Sequence, residues 1–218
     1  MREERAVEPT VEELPGGDGG SRRRFLRAAG LGAAGAAALA VSACGGSPGD
    51  KAKPTNSGSQ LGEGDVNIVN FALTLEYVES DFYRQVADAK LFSGRQADLL
   101  KRIGEDEQEH VSALEAAVKK LGGKAPARPS TTFPVERAPR QVLGVGAQLE
   151  DAGAAAYLGQ MRNILDRDLL ATALAIHSVE GRHAGVLNRL TGQPFSSGSF
   201  ASPRTMDDVL SALGRFIT

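Results

Sequence analysis

Tryptophan is absent from the 218 residues, and aromatic residues make up only 5% of them. Sheet cores lean on aromatic and β-branched side chains, so a chain poor in aromatics and rich in Ala and Gly favours packed helices. Cysteine occurs once, at Cys44, which excludes an intrachain disulfide and a cysteine-based metal cluster. Charge of one sign is also missing. The net charge is −2, with no basic block in the body of the chain, and nothing resembles a nucleic-acid footprint. No apolar run is long enough for a stable membrane span: the best, residues 28–43, is short and dominated by Gly and Ala. Histidine is scarce at three copies, so the position of each one carries information.

The N-terminal part reads as an address. SRRRFLR (21–27) has the twin-arginine export pattern, and the weakly apolar stretch 28–43 suits a signal h-region. VSAC (41–44) resembles a lipoprotein box that would make Cys44 a lipidated N-terminal residue, with simple cleavage after Ala43 as the alternative. GLGAAG (30–35) matches a dinucleotide-binding pattern, but no strand precedes it and it lies in the signal segment, so that reading is rejected. Residues 44–65 are Gly, Ser, Pro and polar residues that read as a flexible tether. These features predict export through the twin-arginine machinery, a folded domain over 66–218, and a lipid anchor in the cell envelope, on the outer face of the cytoplasmic membrane or in the periplasm.

Four amphipathic helices follow from the 3.6-residue period, over about 66–89, 95–121, 141–164 and 166–190. Each apolar stripe is interrupted at its middle by a glutamate: Glu76, Glu107, Glu150 and Glu180. In the second and fourth helices a histidine follows three residues later, His110 and His183, on the same face one turn on. Burying four carboxylates together is costly, because each charge loses several kcal/mol of solvation and like charges repel. Protons, partners or cations must neutralise them. Carboxylate oxygen and neutral imidazole suit Fe or Mn, and four negative charges balance two divalent cations. The arrangement is an internal repeat: Glu76 to Glu107 spans 31 residues and Glu150 to Glu180 spans 30. At about 1.5 Å per residue the chain runs out and returns to the same height, so the two glutamates of each hairpin can face each other.

One glutamate on each of two helices, with Glu-x-x-His on each of the other two, resembles the ligand set of the ferritin-like di-metal carboxylate proteins. The opening NFALTLEYVESDFYRQ (70–85) is similar to the bacterial ferritin-like subfamily that includes desiccation-related proteins. The resemblance implies an all-α, ferritin-like four-helix bundle, two Fe or Mn ions, and the ligands Glu76, Glu107, His110, Glu150, Glu180 and His183. The family's fuller motif is Asp-Glu-x-Arg-His. The first copy here keeps the Asp and lacks the Arg; the second keeps Arg182 and has Val179 in place of Asp. Asp106 is therefore a candidate to orient a ligand histidine.

The Pro-rich connection 122–140 has the length needed for a crossover along the bundle between helices two and three. Residues 205–218 predict a short capping helix that stays out of the site, with Thr205 as N-cap. His177 is either a further ligand or proton relay, or a hydrogen-bonded neighbour of the site. Glu79 is either an extra carboxylate that accepts metal in transit or an edge residue. Tyr77, Tyr83 and Tyr157 could carry an electron or hydrogen-bond an oxidant, with core packing as the plainer role. A Ser–His–Asp hydrolase finds no support, because the histidines are helical and no nucleophile elbow is present. Three functions follow: a di-metal oxidoreductase of ferroxidase, peroxidase or catalase type; a non-enzymatic desiccation or stress protein with structural metals; and an iron-storage module, which the tether disfavours. A homodimer is left open.

Overall fold

The computed structural model describes residues 64–218. The SRRRFLR pattern, the apolar run 28–43, Cys44 and the tether up to residue 63 lie outside the described residues. Helix α1 spans Gly64–Ala89, α2 Gly94–Lys120, α3 Pro139–Gln160, α4 Arg167–Leu190 and α5 Met206–Leu213. No described helix is long and apolar enough to cross a membrane.

The helix ends follow local chemistry. α1 begins at Gly64, so the last two residues of the expected tether, Gly64 and Asp65, are helical. The Asp65 carboxylate accepts from the backbone N–H of Leu165 at 2.9 Å and of Asp166 at 2.6 Å, tying the start of α1 to the turn before α4. Asp166 in turn caps α4 by accepting from the Leu169 N–H. That turn also shortens α3. Instead of running to Ile164, the α-helix ends at Gln160, a 3-10 turn covers Met161–Asn163, and Ile164 is extended. Pro139 starts α3, where its missing N–H costs no hydrogen bond.

α1 and α2 form one antiparallel hairpin, and α3 and α4 the other. The N-terminus of α1 shares an end of the bundle with Leu165 and Asp166, between α3 and α4. At the opposite end Arg140, at the start of α3, donates to the carbonyl of Thr191 just past α4. The connection between the hairpins therefore travels the whole bundle. It passes Asn70, whose amide donates to the Lys124 carbonyl, and reaches Gln85, which donates to the Thr131 carbonyl. Asp81 accepts from the Thr131 hydroxyl and from Arg84, and is held below its usual range because these partners outweigh the opposing effect of burial. Phe133 inserts from the crossover against Phe82 and Phe216.

Buried apolar side chains form two clusters on either side of the glutamate level. One surrounds Phe82, Leu143 and Leu187, and the other Val69, Leu114 and Ile176. α5, capped by Thr205 as the sequence predicts, lies against α3 and buries Val209 and Leu213 away from the glutamates. The Arg204 N–H donates to the Ala155 carbonyl at 3.0 Å, so closely that a Cβ on Gly159 would overlap the Arg204 carbonyl oxygen. Gly159→Ala is expected to cost about 1–3 kcal/mol through this backbone clash. Gly144→Ala, on the same helix with nothing within 4 Å, should be neutral or slightly stabilising. Paired thermal melts check this; equal behaviour of the two variants would show that the contact is not tight in solution.

Candidate metal centre

Each of the four long helices brings its mid-stripe glutamate to the same level. Glu76, Glu107, Glu150 and Glu180 all have 0% exposure. His110 and His183 are buried beside them, their rings 6.4 Å apart. His110 turns Nδ1 inward, 3.1 Å from Glu107 Oε2, 3.3 Å from Glu76 Oε2 and 3.3 Å from Glu180 Oε1. His183 turns its Nδ1 inward too, 2.9 Å from Glu107 Oε1 and 3.2 Å from Glu150 Oε2.

Two four-residue groups result, each with its ligand atoms within 4.8 Å of one another: Glu76, Glu107, His110 and Glu180, and Glu107, Glu150, Glu180 and His183. Glu107 and Glu180 belong to both. Each group thus combines one terminal glutamate, one histidine and two shared carboxylates.

The donors fit a cation better than they fit one another. Glu107 Oε1, Glu150 Oε2, both oxygens of Glu180 and His183 Nδ1 are buried without a well-oriented hydrogen bond, although four of the five lie within 3.3 Å of an opposing imidazole nitrogen or carboxylate oxygen. Native proteins rarely leave such atoms unpaired, and here they converge. Without metal the proton balance is strained as well. Burial first, then the neighbouring Glu107, pushes Glu76 up to about 7 despite the opposing help of His110. Burial and the charges of Glu107 and Glu150 hold Glu180 well above the usual carboxylate range. Burial alone would lower His183, but the carboxylates of Glu107 and Glu150 outweigh it and raise the imidazole to about 10. His110 is likewise raised, by Glu107, Glu180 and Glu76 against the effect of burial. The cluster by itself favours protons on these groups, and a cation could take their place.

Around the ligands the structure sorts the remaining candidates. Tyr157, on α3, donates to Glu76 Oε1 at 2.5 Å, and Tyr83, on α1, donates to Glu150 Oε1. Each hairpin's first helix therefore steadies the terminal glutamate of the other's. The sequence offers Tyr83 either packing or a redox role; the structure adds its bond to Glu150, and the repeat marks it: Tyr83 lies seven residues after Glu76, and Tyr157 seven after Glu150. Tyr77 points elsewhere, donating to Glu115 at 2.7 Å beneath the Arg128 guanidinium.

Asp106 serves the histidine of the opposite hairpin. Its Oδ2 lies 3.4 Å from His183 Nε2, while Arg102 holds its Oδ1 at 2.9 Å. A carboxylate on Nε2 favours the tautomer that leaves Nδ1 free to bind a cation. The corresponding position in the second motif is Val179, which carries no polar group for His110. His177 sits outside the ligand cluster, with its Nδ1 3.0 Å from the Ala154 carbonyl. Glu79 is no edge residue: it is 1% exposed, with Oε2 unpartnered. Burial first and then the charge of Glu180 push it well above the usual carboxylate range.

Comparison with known proteins agrees with this geometry. Residues 64–193 match a family described as a ferritin-like domain. A conserved hypothetical protein of Mycobacterium tuberculosis has a similar solved structure, with a TM-score of 0.52 and 16% identity over 62% of this chain and 96% of that one. A hypothetical protein of Methanococcus jannaschii follows, with a TM-score of 0.50 and 14% identity over 68% of this chain and 91% of that one. At such identities the likeness concerns the fold. No curated protein is a significant match.

Proposed function

Since this chain belongs to the ferritin-like domain family, we propose that its buried glutamates and histidines hold a pair of iron or manganese ions used for redox chemistry with Fe(II), dioxygen or peroxide. The observation that carries the reading is the sharing of Glu107 and Glu180 between the two ligand groups. Two shared carboxylates are what a pair of neighbouring cations would need to be held together. Such a pair, when bound, supplies electrons in steps and a Lewis-acidic place for oxygen ligands.

The chain's own residues have distinct tasks in this proposal. Glu76 and His110 would hold one ion and Glu150 and His183 the other, with Glu107 and Glu180 available to both. Tyr157 and Tyr83 donate their hydroxyl protons to the outer carboxylates and fix their orientation. Asp106 sets the His183 tautomer. The flanking apolar clusters keep bulk water from the level of the glutamates. Tyr83 also lines a pocket of about 350 Å³ with Val86, Phe92, Leu100 and Lys101, and so links a ligand carboxylate to the outer surface.

The location belongs to the same proposal. The twin-arginine pattern supports export of the chain already folded and loaded, and Cys44 supports a lipid tether that keeps it in the envelope, where it would limit metal and oxidative stress. The test is elemental analysis of protein taken from its native location, followed by stopped-flow addition of Fe(II) with dioxygen or peroxide. We expect two ions per chain and turnover that disappears in Glu107→Ala. Two tightly held ions without turnover would overturn the redox reading in favour of a stress protein stapled by metal. No bound metal would overturn both.

A further inference from the structure

Four glutamates account for the two ligand groups, yet a fifth buried carboxylate stands beside them. Glu79 lies one helical turn beyond Glu76, and no hydrogen bond reaches its Oε2. Its Oε1 is 2.8 Å from the point where a Cβ on Gly153 would stand, and Glu180 Oε2 is 2.5 Å from that same point. Glu79 Oε1 and an oxygen of Glu180, a carboxylate that both ligand groups share, therefore face the same Gly153 gap.

The internal repeat sharpens this. Glu79 follows Glu76 by three residues, and Gly153 follows Glu150 by three. One half of the molecule carries a carboxylate where the other carries only hydrogen, and that hydrogen leaves the carboxylate its room. Charge then decides what the extra group does. Four carboxylates balance two divalent ions; five balance one divalent and one trivalent ion. In a dry site an uncompensated charge is expensive, so the fifth carboxylate favours the state it neutralises.

Resting on the metal pair proposed above, we infer that Glu79 is a seventh ligand of that pair, which makes its two positions unequal and supplies the negative charge that matches oxidation of one ion. An ionised Glu79 would offset the single positive charge that a bound pair would gain on one-electron oxidation.

The experiment loads wild type, Glu79→Gln and Glu79→Asp anaerobically with two equivalents of Fe(II). It follows metal content by elemental analysis and the half-oxidised state by potentiometric titration with EPR detection. Glutamine keeps the shape and removes the charge; aspartate keeps the charge and shortens the arm. All three chains are expected to hold two ions. In Glu79→Gln the potential of the first oxidation should rise by about 59 mV or more, a tenfold loss of the oxidised form, while Glu79→Asp stays closer to wild type. Equal potentials in wild type and Glu79→Gln would overturn the inference, leaving Glu79 a protonated spacer. So would a larger disturbance in Glu79→Asp than in Glu79→Gln, which would mark a role of shape. If Glu79→Gln does not fold, Glu79→Ala replaces it: a first-oxidation potential raised by about 59 mV or more, with Glu79→Asp near wild type, supports the role of charge, and an unshifted potential overturns it. A wild type that binds no iron pair would instead overturn the proposed function itself, and with it this inference.

Discussion

Alanine in place of Glu107 is expected to empty both metal positions, whereas alanine in place of His110 or His183 weakens only one. Glu107 offers oxygens to both ligand groups, and each histidine belongs to a single group. Losing even a residue that only orients a metal ligand typically costs 10–100-fold in affinity, so losing a shared ligand should cost at least about 100-fold at both positions. The ratio of metal to protein then falls from two to near zero in Glu107→Ala and to about one in either histidine variant. Stability of the metal-free chain separates lost ligation from lost fold. Glu107 is fully buried and is the carboxylate nearest both imidazoles, so its removal leaves a cavity and takes away their closest counter-charge, and the metal-free melting temperature should fall while the chain still folds cooperatively. Elemental analysis with a melt in chelator measures both. Two ions retained in Glu107→Ala would sink the shared-ligand arrangement.

Metal-free protein should lose stability as pH rises, and metal should restore it most at high pH. Glu76 is raised from 4.5 to about 7, so between those values the folded chain keeps a proton that the unfolded chain has released. His183 is raised from 6.5 to about 10, so its contribution is complete below 6.5 and lost as pH climbs through about 10. Both groups make the folded state the better proton binder, and stability falls with pH across these windows. Cations compete for the same atoms and must displace those protons, so their binding strengthens as pH rises. At a free metal concentration 100 times the dissociation constant the gain is about 2.7 kcal/mol, or roughly 5–11 °C for a domain of this size. Calorimetry at pH 5.5 and 8.5, with and without chelator, should show a gap between loaded and metal-free transitions that widens at pH 8.5. Parallel transitions at both pH values would show that the cluster does not exchange protons for metal.

The glutamates and histidines of the centre were legible because each breaks a pattern. A carboxylate in the middle of an apolar stripe, repeated in four helices at nearly equal spacing, is a local signal with a large energetic cost behind it. Helix boundaries were legible where capping is local, as at Asp166 and Thr205. What stayed hidden depends on distant partners. The end of α3 at Gln160 is set by Asp65, a hundred residues away, binding the Leu165 and Asp166 amides. Asp106 lies four residues before His110 in the sequence but serves His183 on the other hairpin, a partner that only the packing of the two hairpins brings to it. Glu79 could not be told from an edge residue, since its burial is decided by the missing side chain of Gly153. Tyr83 and Tyr157 read as packing because their rings do pack; only their hydroxyls reach Glu150 and Glu76.

The crossover has a consequence for the order in which the chain assembles. Each hairpin is built from contacts close in sequence, which form early and fast. The strap between them closes differently. Thr131 bridges to Ile217, the Thr132 N–H donates to the Phe216 carbonyl, and the Thr218 N–H donates to the Ser130 carbonyl. These pairs join positions more than eighty residues apart, and their loop-closure entropy must be met before they contribute. The strap is thus a late latch over two hairpins that have already met. Weakening it leaves the folding rate nearly untouched and shortens the lifetime of the native state.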